Sequence, residues 1–205
     1  MTYIHTTMEV LLSFLFASVV LTLSPGPDLL MVISQSLDKG FQLAVQFIMG
    51  LVSGIFLHTL VLVFGWGKWI GDSPVFVNVM KGIGCVYFIF LGLSAIRNSS
   101  SQQKSRESIK FSHTTPYFRG LIMNVINPKV SLFFWLFFPG FLFSSSLSLA
   151  QQYAFLGAVF LLQAFCVFTT VAYFCRFFKR YTGQIKTGLY NGILWIALGF
   201  YLLIS

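Results

Sequence analysis

Asp28 closes the run SPGPD at 24–28, which interrupts an otherwise apolar stretch, Val10–Ile33. Pro25 and Pro27 each remove a backbone donor and clash with the preceding turn, and Gly26 between them adds freedom. A helix broken in this way frees amides and carbonyls, which lipid tolerates only where they line a cavity or pack inside protein. Asp28 then has two readings. Either it caps the half-helix that resumes at Leu29 and leaves at the interface, or it faces a central cavity and binds a proton or a substrate ammonium, the default expectation for an intramembrane carboxylate.

A second break stands in GLIMNVINPKVSLFFW, 120–135. Asn124 and Asn127 can each donate and accept hydrogen bonds, which suits a zwitterionic ligand. Pro128 interrupts the helix between them and Lys129. The lysine pairs with a carboxylate, that of Asp28 or of a substrate, or it snorkels to the surface, since Arg119 is only ten residues away. In the second apolar run, Gln46, Gly50, Gly54 and His58 recur every four residues and are expected on one face. Gly50 and Gly54 admit a close helix neighbour, from this chain or from a second copy in a homo-oligomer. His58 titrates near neutral pH or holds a structural hydrogen bond. Lys81, near the start of the third run, is expected at the outer interface and completes the candidates for the pathway.

Other chemistries find little support. The chain has no P-loop, no HExxH, no nucleophile elbow and no pair of catalytic acids. Neither enzyme activity nor a cofactor is expected, and pumping without an ATP site would draw on an ion gradient. Cys85, Cys166 and Cys175 lie inside apolar stretches without a CxxC pair, which argues against a disulfide framework, a zinc site or a membrane thiol electron carrier. His, Cys and carboxylates are scattered rather than clustered, which disfavours efflux of a metal ion. The aromatic stretch Phe133, Phe134, Trp135, Phe137, Phe138, Phe141 and Phe143 is explained by lipid-facing and packing positions, with a second bend at Pro139–Gly140.

The elements that carry these residues must be membrane helices. Of 205 residues, 57% are hydrophobic and only 9% charged, against about 25% charged in a soluble domain. The mean hydropathy is +0.83. A membrane span takes about 20 apolar residues as a helix. Six stretches approach this: Val10–Ile33, Phe41–Phe64, Val75–Ile96, Gly120–Phe143, Tyr153–Cys175 and Thr187–Ile204. None alternates apolar with polar, so strands are not expected. Residues 1–9 contain no Lys or Arg, and the apolar run after them is longer than that of a secretory signal, so it reads as a mature span. The expected fold class is all-α, a polytopic integral membrane protein.

The net charge of +8 is spread between the apolar runs and does not form a nucleic-acid surface. Lys39, five basic residues in 97–119 and four in 176–186 fall on one side, whereas the other side has only Lys68. By the positive-inside rule the basic side is cytoplasmic and both termini point outward. The serine-rich, basic segment 97–116 divides the chain into three-helix repeats, 1–96 and 117–205. With an odd number of helices in each, the second is inverted relative to the first, and each opens with a broken helix, a common transporter construction.

The motifs LTLSPGPDLLMVISQSLDKGFQLAVQFIMGLVSGIFLH (21–58) and FRGLIMNVINPKVSLFFWLFFPGF (118–141) resemble the LysE/RhtB family of amino-acid exporters. MKGIGCVYFIFLGLSAI (80–96) is similar to that family's third helix. The likeness spans nearly the whole chain, and PGPD with NPK, in order and spacing, is its specific part. It implies export of amino acids or derivatives from the bacterial cytoplasm by secondary transport driven by protons. Carried over, the pathway residues are Pro25, Gly26, Pro27, Asp28, Asn124, Asn127, Pro128 and Lys129. The last two helices match least distinctively.

Overall fold

Helix α1, Thr2–Leu23, stops where the proline motif begins, and α2, Pro27–Lys39, resumes the path at an angle of 57°. The ring of Pro27 would collide with the carbonyl of Leu23 if the helix ran on, whereas at the first position of a new helix its missing N–H costs nothing. Gly26 precedes it in extended conformation. The structure, a computed structural model, describes residues 2–24, 26–66 and 114–178, with Val79, Gly82, Val86, Ile89 and Leu93 as single helical positions. Pro25, Lys81, the segment 97–113 and the sixth expected span lie outside the described residues.

Helix α2 ends at Gly40, whose φ of 90° is open to glycine without strain. The chain therefore turns within one residue into α3, Phe41–Val61, which continues through a wider π turn at Leu62–Trp66. Helix α4, Pro116–Ile126, breaks at Asn127, and the short α5, Pro128–Leu132, runs on through a π turn, Phe133–Phe137, and a 3-10 turn, Phe138–Phe141. This second broken pair bends by 50°. Helix α6 covers Leu149–Phe178. The described residues contain no strand. Two helices, Phe41–Phe64 and Leu149–Cys175, are long and apolar enough to cross a membrane, or four spans result if each bent pair is one. The first matches its expected bounds.

Helices α3 and α4 meet backbone to backbone. A Cβ on Gly50 would strike the carbonyl of Tyr117, and one on Gly120 would strike that of Phe47, so each helix offers its glycine to the other's main chain. The Gly50–Gly54 face is thus filled from within the chain and is not a seam for a second copy. Gln46 does not share it: it is exposed, while Gly50, Gly54 and His58 are buried. A four-residue step advances about 40° past a full turn, so a row drifts off its face over three steps.

The aromatic stretch goes inward rather than to lipid. Phe133, Phe134, Phe137, Phe138 and Phe141 are all buried, and Trp135 and Phe143 are partly so. Phe134 stacks on Phe138 at 4.2 Å, and Phe14 and Phe160 close the cluster from α1 and α6. The bends that follow Asn127 turn successive rings towards the same core. The outer surface is apolar as well, with Phe16, Phe64, Ile126 and Leu162 exposed.

Candidate functional site

The two helix breaks come together in the middle of this bundle. Lys129, in the first turn of α5, reaches across to the first break and donates from Nζ to the main-chain oxygen of Ser24 at 2.7 Å. The carbonyl is available because the helix stops there. Gly26 lies against the same side chain, and a Cβ on it would sit 3.3 Å from Lys129 Nζ. Lys129 is buried rather than at the surface, so it does not snorkel.

Asp28 stands in the first turn of α2 and is equally buried. Asn124, near the end of α4, donates from Nδ2 to Asp28 Oδ2 at 3.2 Å. Gly54 makes this approach feasible, since a Cβ there would be 2.5 Å from Asn124 Oδ1. The opposite charges of Asp28 and Lys129 face one cavity together with Asn124. A charge inside such a bundle needs a counter-charge or dipoles within reach, and each break supplies one to the other.

Asn127 does two local jobs. Its side-chain Oδ1 accepts from Lys129 N at 3.1 Å, capping α5, while its carbonyl accepts from Val130 N at 3.1 Å. Its Nδ2, Asp28 Oδ1, Asn124 Oδ1 and Ser24 Oγ are buried with no hydrogen-bond partner among the described residues. Buried polar atoms are normally satisfied. Asp28 and Asn124 line the cavity, so their two unpaired oxygens are acceptors that it offers to a cation such as an ammonium. From α3, His58 Nε2 lies 3.5 Å from the carbonyl of Asn124, and its ring packs 5.4 Å from that of Phe134.

The cavity is small, about 20 Å³, room for about one water. Its described walls beyond the polar residues are Leu21, Thr22, Ile55, Val130, Phe160 and Phe168. Six of the sequence-derived candidates, Gly26, Asp28, Asn124, Asn127, Pro128 and Lys129, are thus gathered at or beside the two breaks, as is Pro27 at the start of α2. His58 joins them from α3. Pro25 and Lys81 lie outside the described residues.

Four contributors were not expected. Ser24 enters through its carbonyl, which the residue type does not announce. Phe160 and Phe168 enter from α6 as part of an apolar run. Gln163 donates to Thr22 Oγ1 at 2.9 Å behind the cavity wall. Its signal was available, as a buried amide amid an apolar run, where a polar side chain asks for a partner.

Comparison with known proteins gives the context for this site. The chain is 28% identical over 166 residues to a homoserine/homoserine lactone efflux protein of Salmonella typhimurium, covering 81% of this chain and 80% of that protein. It is 24% identical over 181 residues to a leucine efflux protein of Salmonella choleraesuis, covering 85% and 82%. An uncharacterized membrane protein of Bacillus subtilis is 25% identical over 188 residues, covering 87% and 89%. No solved structure matches the chain. The model of the LysE type translocators matches residues 19–205. With both helix breaks inside that match, this multi-pass membrane protein belongs to the LysE type translocator family.

Proposed function

We propose that the chain exports amino acids or close derivatives across the cytoplasmic membrane of a bacterium, by proton antiport with alternating access. The observation that carries this reading is the meeting of Asp28, Asn124 and Lys129, from two separately broken helices, around one buried cavity. Relatives named for homoserine and leucine efflux support the substrate class.

In this mechanism the substrate carboxylate goes to Lys129 and to the amino end of α2, where the backbone N–H groups of Asp28 and Leu29 favour negative charge. The ammonium goes to Asp28 and Asn124. A proton competes with the ammonium for Asp28, so that the carboxyl carries one or the other on each passage. The pathway residues are Pro25, Gly26, Pro27, Asp28, Asn124, Asn127, Pro128 and Lys129, with His58 holding Asn124 and Lys81 at the outer mouth. Six spans form two inverted repeats, 1–96 and 117–205, joined by the cytoplasmic linker 97–116, with both termini outside.

Counterflow in proteoliposomes tests this, with a mixture of unlabelled amino acids inside and each labelled one added outside. Accumulation of particular amino acids is expected. Asp28→Asn should abolish proton-driven efflux and, by removing the carboxylate that receives the ammonium, leave at most a weakened exchange. Unchanged active efflux in that variant would remove Asp28 from coupling, and absence of exchange with every amino acid would overturn the substrate class.

A further inference from the structure

We infer that the side-chain end of this site selects neutral, apolar amino acids of the leucine, isoleucine, valine and methionine type over hydroxylated and charged ones. The inference rests on the exporter reading and narrows its substrate.

The described lining of the cavity is of two kinds. Asp28, Asn124 and Lys129 form the polar one. One carboxylate and one ammonium are the complement of the two main-chain charges of an amino acid. Among the described lining residues no further charge remains for a substrate side chain, and burying an unpaired charge is strongly unfavourable. Lysine-like and glutamate-like substrates are disfavoured on that ground.

The rest of the described lining, Thr22 apart, is Leu21, Ile55, Val130, Phe160 and Phe168, whose side chains offer a substrate hydroxyl no hydrogen bond. Thr22 is the exception by type but not by chemistry. Its one hydroxyl proton is given to the carbonyl of Ser18 at 2.9 Å, and its oxygen accepts from Gln163 Nε2 at 2.9 Å. The network occupies the hydroxyl's proton and one of its acceptor positions. Gln163 stands behind Thr22 and is not part of the wall. Along this lining a substrate hydroxyl finds only the remaining lone pair of Thr22 Oγ1 in place of water, whereas an aliphatic group loses nothing.

The walls must part for any amino acid, because the present volume is about 20 Å³.

The test uses the full chain in proteoliposomes, preloaded in turn with unlabelled leucine, valine, methionine, homoserine, threonine, lysine or glutamate, each against its own labelled form. Leucine, valine and methionine should exchange about tenfold or more faster than homoserine and threonine, the scale on which apolar pockets discriminate. Lysine and glutamate should be slower still. Faster exchange of homoserine, threonine or a charged amino acid than of leucine overturns the inference and leaves the exporter reading standing. No exchange by any of them overturns both. Val130→Thr, which keeps the shape of the wall and adds a hydroxyl, should lower the leucine-to-threonine ratio several-fold, and Ile55→Thr should do the same. An unchanged ratio in both folded variants would mean that the substrate side chain does not lie against this wall.

Discussion

At the scale of single residues, Lys129 carries the largest consequence. It is buried with Asp28 on the same cavity and ties the second break to the first through Ser24 O. Removing one partner of a buried charge pair costs about 3–5 kcal/mol, whereas removing both for apolar or neutral groups is often harmless. Lys129→Met alone should therefore lower the melting temperature in detergent markedly, and the double variant Asp28→Asn with Lys129→Met should recover most of it. Neither variant should accumulate substrate in counterflow. A single variant that melts like the original would show that the two charges do not depend on each other. Asn124 is the more delicate case. It holds Asp28 with its side chain and His58 with its carbonyl. Loss of a hydrogen bond to a charged group costs about 1.5–3 kcal/mol. Asn124→Ala should accordingly weaken substrate exchange about tenfold or more.

Among the elements, the short α5 depends most on one cap. Asn127→Ala leaves Lys129 N without its acceptor and should cost about 1 kcal/mol, while Asn127→Ser, which can still cap, should cost less. Thermal unfolding of the two variants side by side would reveal whether the cap or the amide matters. Both breaks were legible in the sequence because proline acts locally and cannot be overridden by packing. The bounds of α3 were legible for a related reason, since uninterrupted apolarity between Gly40 and Trp66 leaves a single way to cross lipid. The direction of the phenylalanines was not. A uniformly apolar run has no polar face to orient it, and only the bends after Asn127 send Phe133, Phe134 and Phe138 inward. Gln46 misled for a geometric reason, the drift of a four-residue row around the helix. The partner of Lys129 was beyond reach because it is a backbone carbonyl. The sixth expected span falls outside the described residues, and the third is described only at five single helical positions.

For the molecule as a whole, orientation in the membrane is the first quantity to measure. A membrane-impermeant maleimide added to intact cells should label a single cysteine at Ser146, in the exposed segment before α6, in a variant lacking Cys85, Cys166 and Cys175. Labelling only after permeabilisation would reverse the assigned topology. The crossing of α3 and α4 bears on how such a molecule moves. Where two main chains touch at Gly50 and Gly120, no compressible layer of side chains separates them, so the helices resist sliding but can tilt. In the proposed alternating-access cycle this contact would serve as a fulcrum, placed about one helical turn from Asn124. Motion about it shifts the polar centre little and sweeps the far ends of the two arms widely, so the grip on a cargo would stay nearly stationary while the doors on either side swing.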